Sequence, residues 1–459
     1  MGSEATRAIA EHIAGMTFEE LPSKAISNAK VAILDTVGVT LAGATLETGK
    51  MIQSYVASAG AAERATVFAA ERRTSPELAA LANGVLAHVL DFDDRWHAST
   101  HTLPAAIAVG EAVDIDGRSL LVSYIVGREL RLRLDQEFRP GRGGDVDIAT
   151  GRGPGWRGWH ETGVLGTMGA AAAASRALDL DADQTQMALG IAGSLASGLM
   201  ANFGTSTKSL HAGNAARNGV LAATLAEQGF SADPGILTAR RGLVDAISFP
   251  EERNMDTVAD NFRASFHLVE HGVRIKPYPA CTGVHQFIEI MRLLLKDHDL
   301  RPEQVAKMAV SRITGSTTKR EFPKTDLECK FSPAFVAVAT LFEGELNLTN
   351  CNMEFADRAD VRGVLANCEY EDSPSGFIRV TTTTGEVLEQ TSPPGTHKGG
   401  SPARDLVLME DIVAKFHQCA EPIVGQDRAE EIRSVIDRLE DLDSIRKLTA
   451  LVTVGTGAL

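Results

Sequence analysis

SKAISNAKVAILDTVGVTLAGA, residues 23–44, decides the fold class. The helix it belongs to is expected to start near Leu21, with Pro22 at an early position where a missing N–H costs nothing. Around Ile33–Leu41 it is apolar on most faces, which predicts a buried helix rather than an amphipathic surface one. Further along, Ser75-Pro76 supplies an N-cap and an N1 proline. Leu78, Leu81, Val85 and Val89 then form a helical stripe that runs to Asp91. Residues 163–178 and 184–199 are helical and rich in alanine and glycine, a composition that permits close helix–helix approach, and another helix is expected over 212–226. Only the stretch from Arg128 to Trp159 interrupts the pattern. From Pro140 it has no periodicity, and a long loop is expected there.

After about Val269 the character changes. EQVAKMAVSRI mixes helix-forming and strand-like residues, GFIRVTTTTGEVLEQTS predicts two strands around Thr384-Gly385, and FSPAFVAVATLFEG between them predicts a helix. From Leu406 the chain is helical again, with Ile432, Val435, Ile436 and Leu439 on one face. This tail has too little core of its own and is expected to pack back on the first domain. The predicted class is predominantly α: a large helical domain over 1–268, a smaller α+β domain over 269–400, and a segment, 401–459, that returns to the first.

With 459 residues and 44% hydrophobic content the chain can bury a substantial core. A formal charge of −15 argues against a nucleic-acid or anionic-membrane partner, because the long-range field repels both. It says little about a site, where a few bases dominate locally. The first twenty residues lack the basic and apolar regions of a secretory signal, and the alanine run near 169–174 soon meets Arg176 and Asp179. Five scattered cysteines with no CxxC fit a reduced, cytoplasmic protein.

Four clusters carry chemistry. In LDFDDRWHASTH, a helix continued past Asp91 would set Asp93, His97 and His101 at i, i+4 and i+8 on one face. That pattern fits a metal site, a structural set of satisfied polar groups, or acid/base catalysis by histidines that carboxylates orient. The Leu103-Pro104 step predicts that the helix breaks into a loop at a pocket. In GWHETGVLGTMGAAAAA, His160 precedes a helix start, where free N–H groups favour an anion; the bland alternative is an ordinary boundary histidine. GTSTKSLHAGNAA carries Lys208 and His211, and RIKPYPACTGVH carries Lys276 beside the stiffening Pro277 and Pro279. Two lysines suit several carboxylates and a developing carbanion, although isolated lysines are usually solvated. Phosphate-loop, HExxH and GxSxG signatures are absent, and the glycine-rich GRGGD and GRGPG segments do not supply the strand–loop–helix context of a dinucleotide-binding fingerprint.

In this order, and together with ILDTVGVTLAGA, the four clusters closely resemble the MmgE/PrpD family, which includes 2-methylcitrate dehydratases, cis-aconitate decarboxylases and iminodisuccinate epimerases. The resemblance covers almost the whole chain. It implies an all-helical domain built from both ends of the chain, an α+β lid, a homodimer, and chemistry on a small polycarboxylate at the domain cleft without metal or cofactor. By the family motifs Asp91 is the first active-site carboxylate, His101 the preferred proton donor or acceptor, and His160 a second histidine. Lys208 and Lys276 match the lysines of the two later motifs and hold substrate carboxylates. Arg95, His97 and Phe335 join His160, Lys208 and Lys276 as substrate-binding positions. Two of these depart from the pattern: Arg95 stands where decarboxylase-like members have threonine, and Phe335 replaces a tyrosine, removing a hydroxyl donor. Dehydration of a 2-methylcitrate-like hydroxy acid is the leading expectation. Epimerisation, decarboxylation and non-catalytic polycarboxylate binding are the alternatives.

Overall fold

The computed structural model describes residues 2–138, 158–247, 254–313, 322–392 and 408–455. The loop expected from Pro140 and the boundary expected near 400 lie outside the described residues.

Nine helices precede residue 228 among the described residues: α1 (Gly2–Gly15), α2 (Ser23–Gly43), α3 (Glu47–Ser58), α4 (Pro76–Val89), α5 (Ser99–Val113), α6 (Gly117–Phe138), α7 (Glu161–Ala177), α8 (Ala182–Leu195) and α9 (Ser206–Glu227). A small antiparallel ribbon, β1 (Ala65–Val67) with β2 (Arg72–Thr74), lies between α3 and α4. From Ala32 to Gly43 every residue of α2 is buried. Helix α2 is the described helix long and apolar enough to cross a membrane, and it packs against α4, α5 and the Met409–Val424 helix. That C-terminal helix and the Gln426–Asp437 helix put Phe416, Ala420, Ile432 and Ile436 into the same core as Ile9, Ile33 and Leu165.

The alanine- and glycine-rich composition acts through backbone proximity. A Cβ on Gly84 of α4 would stand 2.7 Å from the Gly213 Cα of α9. One on Gly127 of α6 would stand 2.5 Å from the Gly169 carbonyl oxygen of α7. At these separations only hydrogen fits, so α4, α6, α7 and α9 form a bundle closer than ordinary side chains allow.

A second core belongs to the lid. Its sheet has the order β4-β3-β5-β6, with β3 (Val305–Ile313) parallel to β4 (Cys368–Ser373) and antiparallel to β5 (Phe377–Thr382), which pairs with β6 (Val387–Thr391). Strands β5 and β6 are the pair expected around Thr384-Gly385, and Gly385 turns the chain at φ +86°. EQVAKMAVSRI resolves as strand. The Pro333–Glu343 helix buries Phe335, Val336 and Val338 against Phe287 and Met291 of the Thr282–His298 helix.

One expectation is corrected. Helix α4 ends at Val89 and α5 begins at Ser99, so residues 90–98 are a loop and Asp93, His97 and His101 do not share a helix face. The cause is Asp94. Its side chain accepts from the backbone N–H groups of Ala98 at 3.4 Å and Ser99 at 3.1 Å and so starts α5 afresh. Pro104 lies inside α5 instead of ending it.

Gly84→Ala is expected to lower stability by about 1–3 kcal/mol in denaturant unfolding, since overpacking against Gly213 outweighs alanine's better helix propensity. Unchanged stability would show that the α4–α9 contact relaxes freely.

Candidate active site

Helix α4 places His88 one turn before Asp91, and Asp91 then leaves the helix with φ +52°, a left-handed conformation that aspartate tolerates better than most residues. Next in the loop, Asp94 forms an isolated β-bridge with Ile275, and the Arg95 N–H donates to the Arg274 carbonyl at 2.8 Å. The loop therefore lies alongside 274–276, which brings Lys276 to Asp91. The Lys276 ammonium donates to Asp91 Oδ1 and, at 3.0 Å, to the Asp91 carbonyl. From the first turn of α9, Lys208 donates to Asp91 Oδ2 at 2.7 Å and approaches His88 Nε2 at 3.2 Å. Burial alone would raise the Asp91 pKa; Lys208 and Lys276 outweigh it and hold the carboxyl well below its usual range. Asp91 is thus an ionised anchor and not a proton acceptor at neutral pH.

Asp93 is fully buried and bridges two imidazoles, His97 Nδ1 at 2.6 Å and His88 Nδ1 at 3.4 Å. His97 Nε2 stands 3.7 Å from Asp91 Oδ1. Burial lowers the pKa of both histidines, that of His97 to about 3. His160 is the N-cap of α7. Its N–H donates to the Gly198 carbonyl at 3.0 Å, and Nδ1 lies 2.9 Å from His211 Nδ1. Its ring stacks on His88 with centroids 6.2 Å apart, and burial lowers its pKa far below the ordinary value.

Asp91, His97, His160, Lys208 and Lys276 therefore converge with Asp93, His88 and His211. Phe335 lies apart, and His101 makes no hydrogen bond to the cluster but stands close enough for His88 and His97 to add to burial and Arg131 in lowering its pKa. His101 is wholly buried on α5 against Gly166, and neither ring nitrogen has a hydrogen-bond partner among the described residues. Phe335 is enclosed in the lid core, and Phe331, four residues earlier, reaches the cleft instead. Arg95 is half-buried beside His285. The cleft takes His88, Asp91, Lys208 and Ser209 from the helical side and Leu327, Lys330 and Phe331 from the lid, enclosing about 10 Å³. A larger cavity of about 460 Å³ lies between the β1–β2 ribbon and the C-terminal Arg446–Leu451 helix. None of the Asp91 cluster lines it; of its three cations, Arg73 and Arg446 are paired with Glu111 and Asp114, and Arg72 donates to the Ala57 carbonyl at 3.5 Å.

Three supports were not singled out in the sequence. His88 is spaced for one helical turn before Asp91, a signal visible in HVLDFDD. Arg128 of α6 donates at 3.0 Å to Asp94, in a wholly buried pair shared with Ser99 and Tyr124. Lys415 donates at 2.5 Å to the Phe92 carbonyl and pairs at 2.6 Å with Asp35 of α2. Neither partner is near in sequence.

His88, Asp93 and His97 also present ligand atoms within 4.8 Å of one another, the one candidate metal set among the described residues. The Lys208 and Lys276 ammoniums beside them oppose a further dication.

Residues 7–255 match the MmgE/PrpD N-terminal domain and residues 278–441 the MmgE/PrpD C-terminal domain. The chain belongs to the MmgE/PrpD family. Cis-aconitate decarboxylase of Homo sapiens is 29% identical over 97% of this chain and 94% of its own length, and that of Mus musculus is 29% identical over 97% and 93%. Cis-aconitate decarboxylase of Aspergillus terreus is 24% identical over 97% and 96%. Membership supports catalysis on a polycarboxylate.

Burial pushes the Asp94 pKa up, but Arg128 brings it down to about 2. Stability from this depressed carboxylate is present above its unfolded value and is lost as pH falls through about 2. Asp94→Asn, which leaves Arg128 a buried unpaired cation, should destabilise the protein by roughly 3–5 kcal/mol at neutral pH. In urea unfolding, the gap to wild type should shrink as pH is lowered from 4 toward 2. A pH-independent gap would remove the ion pair as its cause.

Proposed function

We propose that this MmgE/PrpD-family chain is a cofactor-independent lyase that removes the proton alpha to a carboxylate of a small polycarboxylate, with dehydration of a 2-methylcitrate-like hydroxy acid as its reaction. The observation that carries the reading is the buried Asp91 carboxylate between two ammoniums with neutral imidazoles around it. An ammonium has three donors. Lys208 directs one at Asp91 and one toward His88, and Lys276 directs two at Asp91, so each keeps a donor for a substrate carboxylate. As the α-proton leaves, charge accumulates on that carboxylate, and these fixed donors stabilise it where water is largely excluded. In this reading His101 has the donor or acceptor role implied by the family motif, and His160 and Arg95 contact substrate. The homodimer and the cytoplasmic location implied by the family belong to the same proposal.

A second reading, decarboxylation of a cis-aconitate-like acid, is favoured by the similarity to cis-aconitate decarboxylases. It is also supported by the rings of Phe203 and Phe331, 5.4 and 5.5 Å from the Lys208 ammonium, which offer a leaving carboxylate an apolar wall. One panel separates the readings: 2-methylcitrate, citrate, cis-aconitate and iminodisuccinate stereoisomers, followed by mass spectrometry in deuterated water. Loss of water supports dehydration and loss of carbon dioxide supports decarboxylation. Stereochemical exchange without mass loss beyond deuterium supports an epimerase, and binding without turnover a non-catalytic protein.

On whichever acid turns over, His101→Asn should lose roughly 10²–10⁴-fold in kcat while dissociation constants change far less. Near-normal turnover by the folded variant would take His101 out of the reaction. Exhaustive chelation should leave wild-type activity intact. Loss on chelation, with stoichiometric rescue by one metal, would instead assign the His88, Asp93 and His97 set to that ion.

A further inference from the structure

The polar groups of the Asp91 cluster differ in how well they are prepared to receive a proton. Asp91 is an ionised anchor already bonded to two ammoniums. His160 is buried, and its Nδ1 is engaged with His211. His101 is wholly buried, and neither ring nitrogen has a hydrogen-bond partner among the described residues. His88 borders the cleft, but its Nε2 lies 3.2 Å from Lys208 and its Nδ1 is 3.4 Å from Asp93. His97 combines the closer orienting carboxylate, Asp93 at 2.6 Å, with a side chain that is 13% exposed, against 0% for His88.

From this arrangement we infer that Asp93 and His97 form the proton-transfer dyad, with His97 Nε2 taking the substrate's α-proton and Asp93 as its positioning residue. The inference rests on the polycarboxylate reading above. Ionised Asp93 accepts at 2.6 Å from Nδ1–H, which fixes the tautomer and leaves the Nε2 lone pair facing the Asp91–Lys276 pair. His97 is held there with φ +56°, a conformation costly for a non-glycine residue, and its N–H donates to the Asp94 carbonyl at 2.9 Å.

The step balances without a co-reactant. The C–H bond breaks as N–H forms at Nε2, and the electron pair enters the adjacent carboxylate as an enediolate that Lys208 and Lys276 stabilise. In dehydration the C–O bond then breaks, and the departing hydroxide leaves as water with a proton from the cluster, which restores its starting charge. The new imidazolium has Asp93 on one nitrogen and Asp91 Oδ1 3.7 Å from the other; burial and Lys276 oppose the protonated form while Asp93 favours it, which makes the imidazolium short-lived, ready to give the proton up again. His101 keeps the donor role that the family motif implies.

His97→Asn suits the test because asparagine tolerates positive φ. On the acid that wild type turns over, His97→Asn should reduce both kcat and exchange of the α-hydrogen with deuterated solvent by roughly 10²–10⁴-fold, with KM little changed. In ¹⁵N-histidine NMR, His97 should carry its proton on Nδ1 in wild type, and Asp93→Asn should shift that proton toward Nε2 and lower kcat with little change in KM. Thermal unfolding, with His97→Gln as a second variant, shows that the proteins compared are folded. Wild-type exchange rates in a folded His97 variant would overturn the dyad, as would an Nε2–H tautomer in the wild type. Absence of α-hydrogen exchange by wild type on every acid of the panel would instead overturn the α-proton-removal reading, and the tautomer would then decide the dyad alone.

Discussion

A carboxylate with no access to water is the constraint on which the rest of this molecule depends. Removing an ion such as Asp91 from solvent costs several kcal/mol after relaxation, and the cost is recovered only by close, well-oriented opposite charge. Lys208 and Lys276 supply it, one from the helical domain and one from the segment that leads into the lid. The trio alone leaves one positive charge over, and the ionised carboxylate of Asp93 balances it, so the cluster as a whole is neutral. What the cluster offers an anion in a chain of formal charge −15 is therefore a pair of fixed ammonium donors and not a surplus of charge.

Bringing the lysines to one carboxylate sets requirements on distant elements. Lys208 reaches Asp91 because α9 lies against α4 at glycine-to-glycine distance; a larger residue at Gly84 or Gly213 would push the ammonium away. Lys276 reaches it because the 91–95 loop pairs with 274–276. The C-terminal helix contributes Lys415, whose ammonium holds the Phe92 carbonyl and lies 3.9 Å from the centre of the Phe92 ring. The tail therefore supports the candidate site as well as the core.

Features that depend on local periodicity were legible in the sequence. The buried character of α2, the alanine-rich helices, the β5–β6 hairpin and the shift from helical to α+β character all follow from side-chain pattern and turn residues. At the site, the convergence of Asp91, His160, Lys208 and Lys276 came from motif resemblance, since nothing in their spacing implies that residues so far apart meet. Two things were hidden because they depend on tertiary partners. An i, i+4, i+8 pattern reads as one helix face unless it is known that Asp94 finds Arg128, thirty-four residues away, and caps a new helix. Nothing in the sequence pairs Lys415 with Asp35 until the tail is placed on α2. Phe335 was read as a pocket residue from a lost hydroxyl, but its ring fills the lid core and leaves the cleft to Phe331.

Between Asp91 and His97 the backbone enters the left-handed region at both ends, at φ +52° and +56°, without a glycine at either. Each such residue costs about 1 kcal/mol or more, and it persists only where its surroundings over-determine it. Here they do. Asp94 takes five hydrogen bonds, from the N–H groups of Trp96, Ala98 and Ser99, the Ser99 hydroxyl and Arg128. The two residues before it, Phe92 and Asp93, are fixed by Lys415 and by the imidazole pair. A glycine at 91 or 97 would relieve the strain but carry neither carboxylate nor imidazole. The loop therefore retains functional side chains in an unfavourable conformation, and the buried Asp94–Arg128 pair and the Lys415 clamp are the stabilising interactions that offset it.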